Sequence, residues 1–110
     1  MIERYAQSLE YIEAEAAGST PGGQPIDPAT LTIQLAFTAV GAEPLEVDWH
    51  PATFLRETLS PDNGRTRPGV FGVLAGPGAL DVPRGDYDAW IDILDNPERP
   101  RAPFGKLRML

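Results

Sequence analysis

The sequence contains no cysteine. Disulfides and thiolate metal ligands therefore take no part in holding the fold, and the disulfide-linked class of immunoglobulin domain is excluded. Histidine occurs once, as His50, so imidazole-based catalysis or metal binding lacks the second imidazole or thiolate it would need. Nowhere do apolar residues approach the run of ~18 that spans a bilayer. The opening Met1-Ile2-Glu3-Arg4-Tyr5 does not have the basic-then-apolar layout of a secretory leader. No membrane partner is expected. Basic side chains are scarce as well: nine face sixteen acidic ones, a formal charge of −7, which repels nucleic acid and anionic lipid. A nucleic-acid partner is not expected either.

Turn formers, by contrast, are plentiful. Twelve prolines and eleven glycines among 110 residues suit short strands joined by tight turns. The length is that of one ordinary domain. The clearest strand is Leu31 to Thr38, where Leu31, Ile33, Leu35 and Phe37 share one face and Thr32, Gln34, Ala36 and Thr38 the other. Such alternation marks a half-buried strand. Further strands are expected over Leu45 to His50, Thr53 to Thr58, Gly69 to Ala75, Tyr87 to Leu94 and the alternating Phe104 to Leu110. Asn63-Gly64 lies between two of these and is a strong hairpin-turn signal. Gly18 to Pro28 is a turn-rich loop. Ser8 to Ala17 reads two ways. Its glutamates and alanines favour helix by propensity, whereas Leu9-Glu10-Tyr11-Ile12-Glu13 reads as an edge strand, which the fold needs.

The last third carries the most specific pattern. Leu80-Asp81-Val82-Pro83-Arg84-Gly85-Asp86-Tyr87 sets an apolar residue and a Pro/Gly corner before a Tyr that opens a long strand. That order suits a tyrosine corner, in which the hydroxyl bonds to upstream backbone at a Greek-key crossover. Its acceptor is expected between Ala79 and Arg84. The predicted fold is all-β, an immunoglobulin-like Greek-key β-sandwich over residues 8–110, preceded by a short N-terminal arm, residues 1–7. Its core is expected to include Leu31, Ile33, Leu35, Phe37, Ile91 and Ile93, with Trp49 as the core tryptophan.

Several segments carry a family likeness: Leu31-x-Ile33-x-Leu35-x-Phe37-Thr38-x-x-Gly41-Ala42-Glu43-Pro44, then Trp49, then Val73 to Gly78, then Gly85-Asp86-Tyr87-Asp88-Ala89-Trp90-Ile91-x-Ile93-x-Asp95-Asn96-Pro97-Glu98-x-Pro100, closing on Gly105-Lys106-Leu107. Over roughly residues 8 to 110 the chain resembles small Ig-like virion proteins of tailed phages that infect actinobacteria, encoded among capsid and head-to-tail connector genes. The resemblance implies a non-enzymatic structural role, as a capsid accessory (decoration) protein or a head-to-tail connector component. The implied partners are other virion proteins (capsid, portal, connector or tail subunits) in a symmetric multimer. The implied location is the virion, and the host cytoplasm during assembly. The alternative is an Ig-like module that binds a carbohydrate or a receptor.

No catalytic residue, cofactor site or metal site is expected. Asp86, Asp88, Asp92 and Asp95 look like a carboxylate cluster. The first three share one strand face, however, and read as a solvated acidic row that keeps an edge from pairing. Calcium needs six to eight oxygens that converge from a loop. Gly76-Pro77-Gly78 lacks the lysine and the following helix of a phosphate loop. Ser8, Ser19 and Ser60 have no plausible base. Partner contacts are expected at Trp90, which is out of phase with Tyr87, Ala89, Ile91 and Ile93; the competing reading is a strand buried on both sides. They are also expected at Ile2 and Tyr5 of the arm.

Overall fold

The computed structural model describes residues 1–94 and 101–110. The Asp95-Asn96-Pro97 turn, and with it Asp95, lies outside the described residues. Among the described residues eight strands follow one another: β1 (Ile2–Arg4), β2 (Glu10–Ala16), β3 (Ile33–Ala39), β4 (Trp49–Pro51), β5 (Thr53–Glu57), β6 (Gly69–Ala75), β7 (Gly85–Ile93) and β8 (Arg101–Met109). Single 3-10 turns occupy Pro28–Thr30 and Glu46–Asp48. The strands form a five-stranded sheet, ordered β1-β8-β7-β3-β4, and a three-stranded sheet, ordered β2-β6-β5. The protein is all-β, and its two sheets pack as a sandwich.

Alternation builds the core. Ile33, Leu35 and Phe37 of β3 stand opposite Ile93, Ile91 and Ala89 of β7 in the ladder, and this row faces the other sheet. From there Ile12, Ala14 and Ala16 of β2 meet it, with Phe71, Val73 and Ala75 of β6. Leu31, Ile33 and Leu35 are buried, while Phe37, Ile91 and Ile93 pack against the same cluster at partial burial. Phe54 meets Phe71 edge-to-face, with ring centroids 5.6 Å apart. Ser8 to Ala17 contains a strand, β2, whose seven residues pair antiparallel with β6. Its inward positions are small except Ile12, so it lies close against the facing sheet.

Residues 1–7 are not a free arm. β1 pairs in parallel with β8, Ile2 opposite Leu107 and Arg4 opposite Met109, and Ile2 packs against the cluster of Ile12, Leu107 and Met109. Ile2 is thus partly covered by the chain's own core. Arg4 Nε donates to the Tyr11 carbonyl of β2 at 2.9 Å, bridging the two sheets at this edge.

The chain crosses from one sheet to the other between β6 and β7. The crossover begins at Gly76, whose φ of +125° suits glycine. A Cβ there would lie 2.3 Å from the Ser8 carbonyl oxygen. Further on, Tyr87 Oη donates to the Pro83 carbonyl at 2.7 Å, within the loop where an acceptor was expected. Burial pushes the Tyr87 phenol above its ordinary pKa, and the nearby Asp81 carboxylate adds to this. Asn63 and Gly64 both have positive φ (56° and 87°). They sit at the tip of a long β5–β6 connection rather than in a two-residue turn. Asp62 Oδ1 braces that tip by accepting from Ser60 Oγ and from the Thr66 N–H and hydroxyl.

Candidate functional site

The face of the five-stranded sheet turned away from the core carries the chemistry. Along β7 it presents Asp86, Asp88, Trp90 and Asp92. The sequence reading made the three carboxylates a solvated row guarding an edge, but β7 lies inside the sheet, between β3 and β8. Strand β8 returns antiparallel and sets a cation beside each. Arg108 Nε donates to Asp86 at 2.9 Å, Lys106 Nζ to Asp88, and Arg101 Nε to Asp92 at 3.2 Å. The Asp92 side chain has no exposed surface. Asp88 also accepts from the Gly41 N–H at 2.8 Å. Its hydrogen bond from Lys106, helped by the Gly41 N–H, holds its carboxyl below the usual range. Among the described residues no three His, Asp or Glu side chains group as a metal would require.

Trp49 is buried, as a core tryptophan was expected to be, but on this face rather than between the two sheets. Leu45 to His50 was read as one strand carrying Trp49. Instead, Glu46–Asp48 forms a 3-10 turn in which the Leu45 N–H donates to Asp48 Oδ2 at 2.7 Å. The turn resets the phase. Trp49 then pairs with Ala36, and His50 with Leu35. Ladder partners point the same way, so Trp49 shares the outer face with Ala36 and Trp90, also a ladder pair. His50 takes the inner phase and stacks on Phe37, ring centroids 6.5 Å apart. Trp49 is nonetheless 91% buried, with 9% of its surface exposed. The Arg101 guanidinium lies over its ring, 5.2 Å from the centroid. Arg101 is fixed in turn by Asp92 and by Glu46, whose Oε1 accepts from Nη1 at 3.0 Å. The Glu46 hydrogen bond, above all, raises the guanidinium pKa.

Between the two indoles is a cleft of about 250 Å³ lined by Glu43, Pro44, Trp49, Trp90 and Arg101. Trp90 Nε1 donates to Thr38 Oγ1 at 3.2 Å, and that hydroxyl donates to the Ala42 carbonyl at 2.8 Å. Trp49 Nε1 is buried and has no acceptor among the described residues. The loop that supplies Glu43 and Pro44 exposes Val40, Leu45 and Val47, the last at 82%. No protein-family model, curated protein or solved structure matches this chain. Two aromatic rings, one held guanidinium and one carboxylate thus surround an open cleft, with exposed aliphatic side chains beside it.

Of the residues singled out in the sequence, the structure brings Trp49 and Trp90 together and sets Tyr5 and Ile2 elsewhere. Tyr5 is 61% exposed, with its backbone N–H donating to Glu10 Oε2 at 3.2 Å. Sequence reasoning missed Glu43, Pro44 and Arg101. The visible signal for Arg101 was the descending order in which β8 cations answer the ascending β7 acids.

Proposed function

We propose that the chain is a non-enzymatic, Ig-like structural protein of a phage virion, which holds neighbouring subunits through the outer face of its five-stranded sheet. The strand order supports the Ig-like reading. Taking β1 to β8 as A′, B, C, C′, D, E, F and G gives sheets A′GFCC′ and BED, with Tyr87 near the start of strand F after the E–F crossover. The motifs from Leu31 to Pro44 and from Gly85 to Leu107 support the virion role, through their resemblance to Ig-like proteins encoded among capsid and connector genes.

The observation that carries the reading is the cleft between Trp49 and Trp90 with Val40, Leu45 and Val47 exposed in the loop beside it. Aromatic side chains with apolar neighbours are characteristic anchors of protein interfaces. The pairing of two tryptophans is also what would favour a carbohydrate-binding module. Against this, Arg101 already covers the Trp49 ring, and the neighbouring loop exposes the aliphatic side chains of Val40, Leu45 and Val47.

The test is sedimentation of particles from a culture that produces this protein. It should co-purify with the particles in fixed proportion to the capsid subunit. Leu45→Asp and Val47→Asp, both at exposed positions, should lower occupancy with no change in circular dichroism. Recovery of the wild type only as free protein would overturn the virion role. Full occupancy of both variants would remove this face from it.

A further inference from the structure

We propose that the cleft receives a lysine or arginine side chain from a partner protein, laid along the Trp90 indole with its charge beside Glu43. The proposal rests on the reading that this face binds a protein subunit, and it adds the chemistry of the occupant. Tryptophan faces attract cations through the ring quadrupole, and the protein already uses this once, with Arg101 over Trp49. Arg101 does not repel a second cation strongly, because Asp92 and Glu46 both accept hydrogen bonds from it.

The charge left over is negative. Asp86 and Asp88 are paired with β8 cations, and Asp48 is engaged with the Leu45 N–H. Glu43 lines the cleft, is exposed, and has no cationic partner among the described residues. A basic side chain suits this setting at both ends. Its methylenes lie on indole and Pro44, and its head group meets the carboxylate. Val40, Leu45 and Val47 then pack against its apolar neighbours. A sugar would leave those three side chains in water.

The two tryptophans are the only ones in the sequence, so indole N–H resonances and intrinsic fluorescence report on the cleft alone. The experiment titrates the full chain with acetyl-Ala-Ala-Arg-Ala-Ala-amide, its Glu counterpart and cellopentaose. The Arg peptide should shift the indole signals and saturate them at millimolar concentration. Glu43→Gln should weaken it about tenfold, and so should raising the salt from ~20 mM to ~500 mM. Glu43 is an exposed loop residue, and unchanged indole shifts before titration will show that the variant keeps the fold. The proposal is overturned if the Arg peptide moves nothing, if the Glu peptide acts equally, if Glu43→Gln binds as tightly as the wild type, or if cellopentaose saturates the indoles and the Arg peptide does not. Failure of the broader reading looks different. A silent Arg peptide with Val47→Asp still excluded from particles removes the cationic occupant but keeps the interface. Full occupancy of Leu45→Asp and Val47→Asp removes both.

Discussion

On the outer side of the three-stranded sheet, Tyr11 of β2 and Leu55 of β5 fold over Gly72 of β6. A Cβ on Gly72 would lie 2.8 Å from Leu55 Cδ1 and 2.8 Å from Tyr11 Cδ1. A bidentate ion pair, Arg56 Nη1 and Nη2 to the two Glu13 oxygens at 3.2 Å each, ties β5 to β2 across the same face. On the outer side of the five-stranded sheet the central residue is Ala36 and its neighbours are Trp49 and Trp90. Ala36 is fully buried, but its methyl group and the two rigid indoles leave a cleft between the rings. A glycine at the middle of a row lets flanking side chains close over it. An alanine between two rings too large to fold inward leaves room for an outside group. One sheet covers its own back, and the other leaves that cover incomplete.

Trp49→Ala should make the largest difference between the faces. Its removal uncovers Ala36 and leaves the Arg101 guanidinium without its ring, and loss of a buried tryptophan costs about 3 kcal/mol or more. Urea unfolding measures it, and a loss below about 1 kcal/mol would mean that Trp49 is not a packed element. Gly72→Val probes the closed face. Overpacking against Leu55 and Tyr11 should cost about 2 kcal/mol. Gly105→Ala in β8 is its control, because a Cβ there meets nothing within 4 Å, and its thermal midpoint should not fall. Tyr87→Phe touches neither face. It removes the bond to Pro83 at the crossover and should cost about 1 kcal/mol, one net hydrogen bond.

The smallest effect is a pH dependence shared between the faces. Arg56 holds the Glu13 carboxyl below its usual range chiefly by hydrogen bonding, and Lys106 with the Gly41 N–H does the same for Asp88. A carboxyl depressed in the folded state binds fewer protons there than in the unfolded chain as the solution turns acid. Its stabilisation is therefore complete above about pH 4 to 5 and is lost as the pH falls through the folded pKa. Thermal midpoints measured from about pH 7 down to pH 2.5 should fall at the acid end. Asp88→Asn should flatten that decline more than Glu13→Gln, since the Asp88 side chain is 13% exposed against 34% for Glu13. Equal slopes for wild type and both variants would show that neither pair contributes.

Which parts of this were legible beforehand follows from how local their causes are. Strand β6 was readable to the residue, because Gly69 and the Gly76-Pro77-Gly78 turn bracket a single apolar run. The alternation of Leu31, Ile33, Leu35 and Phe37 placed the core row for the same reason. Trp49 was misplaced by one short device. Asp48 accepts the Leu45 N–H, and the turn it closes shifts the phase of everything after it. An aspartate three residues past Leu45 was the available clue. Strand β1 was beyond reach, since three residues show no period and its partner lies at the far end of the sequence. The acidic row was misjudged because neutralisation depends on register with β8, a property of pairing rather than of either strand. The cleft follows from both errors, as it needs Trp49 outside and Arg101 across from Asp92.

The parallel pairing of β1 with β8 also constrains how the molecule comes into being. Ile2 meets Leu107 only by closing a loop of roughly a hundred residues, the costliest closure in the sandwich. On a ribosome, β1 emerges first and has nothing to pair with until β8 has been synthesised. Throughout that interval Ile12 and Ala75 lack the Leu107 and Met109 cover they have in the finished core, and the edge of β7 stands open. Folding of this chain is therefore a late, whole-length event governed by distant contacts, with the millisecond-to-second rates such topologies show. The interval before β8 arrives is when strands of neighbouring nascent chains compete for the same edge.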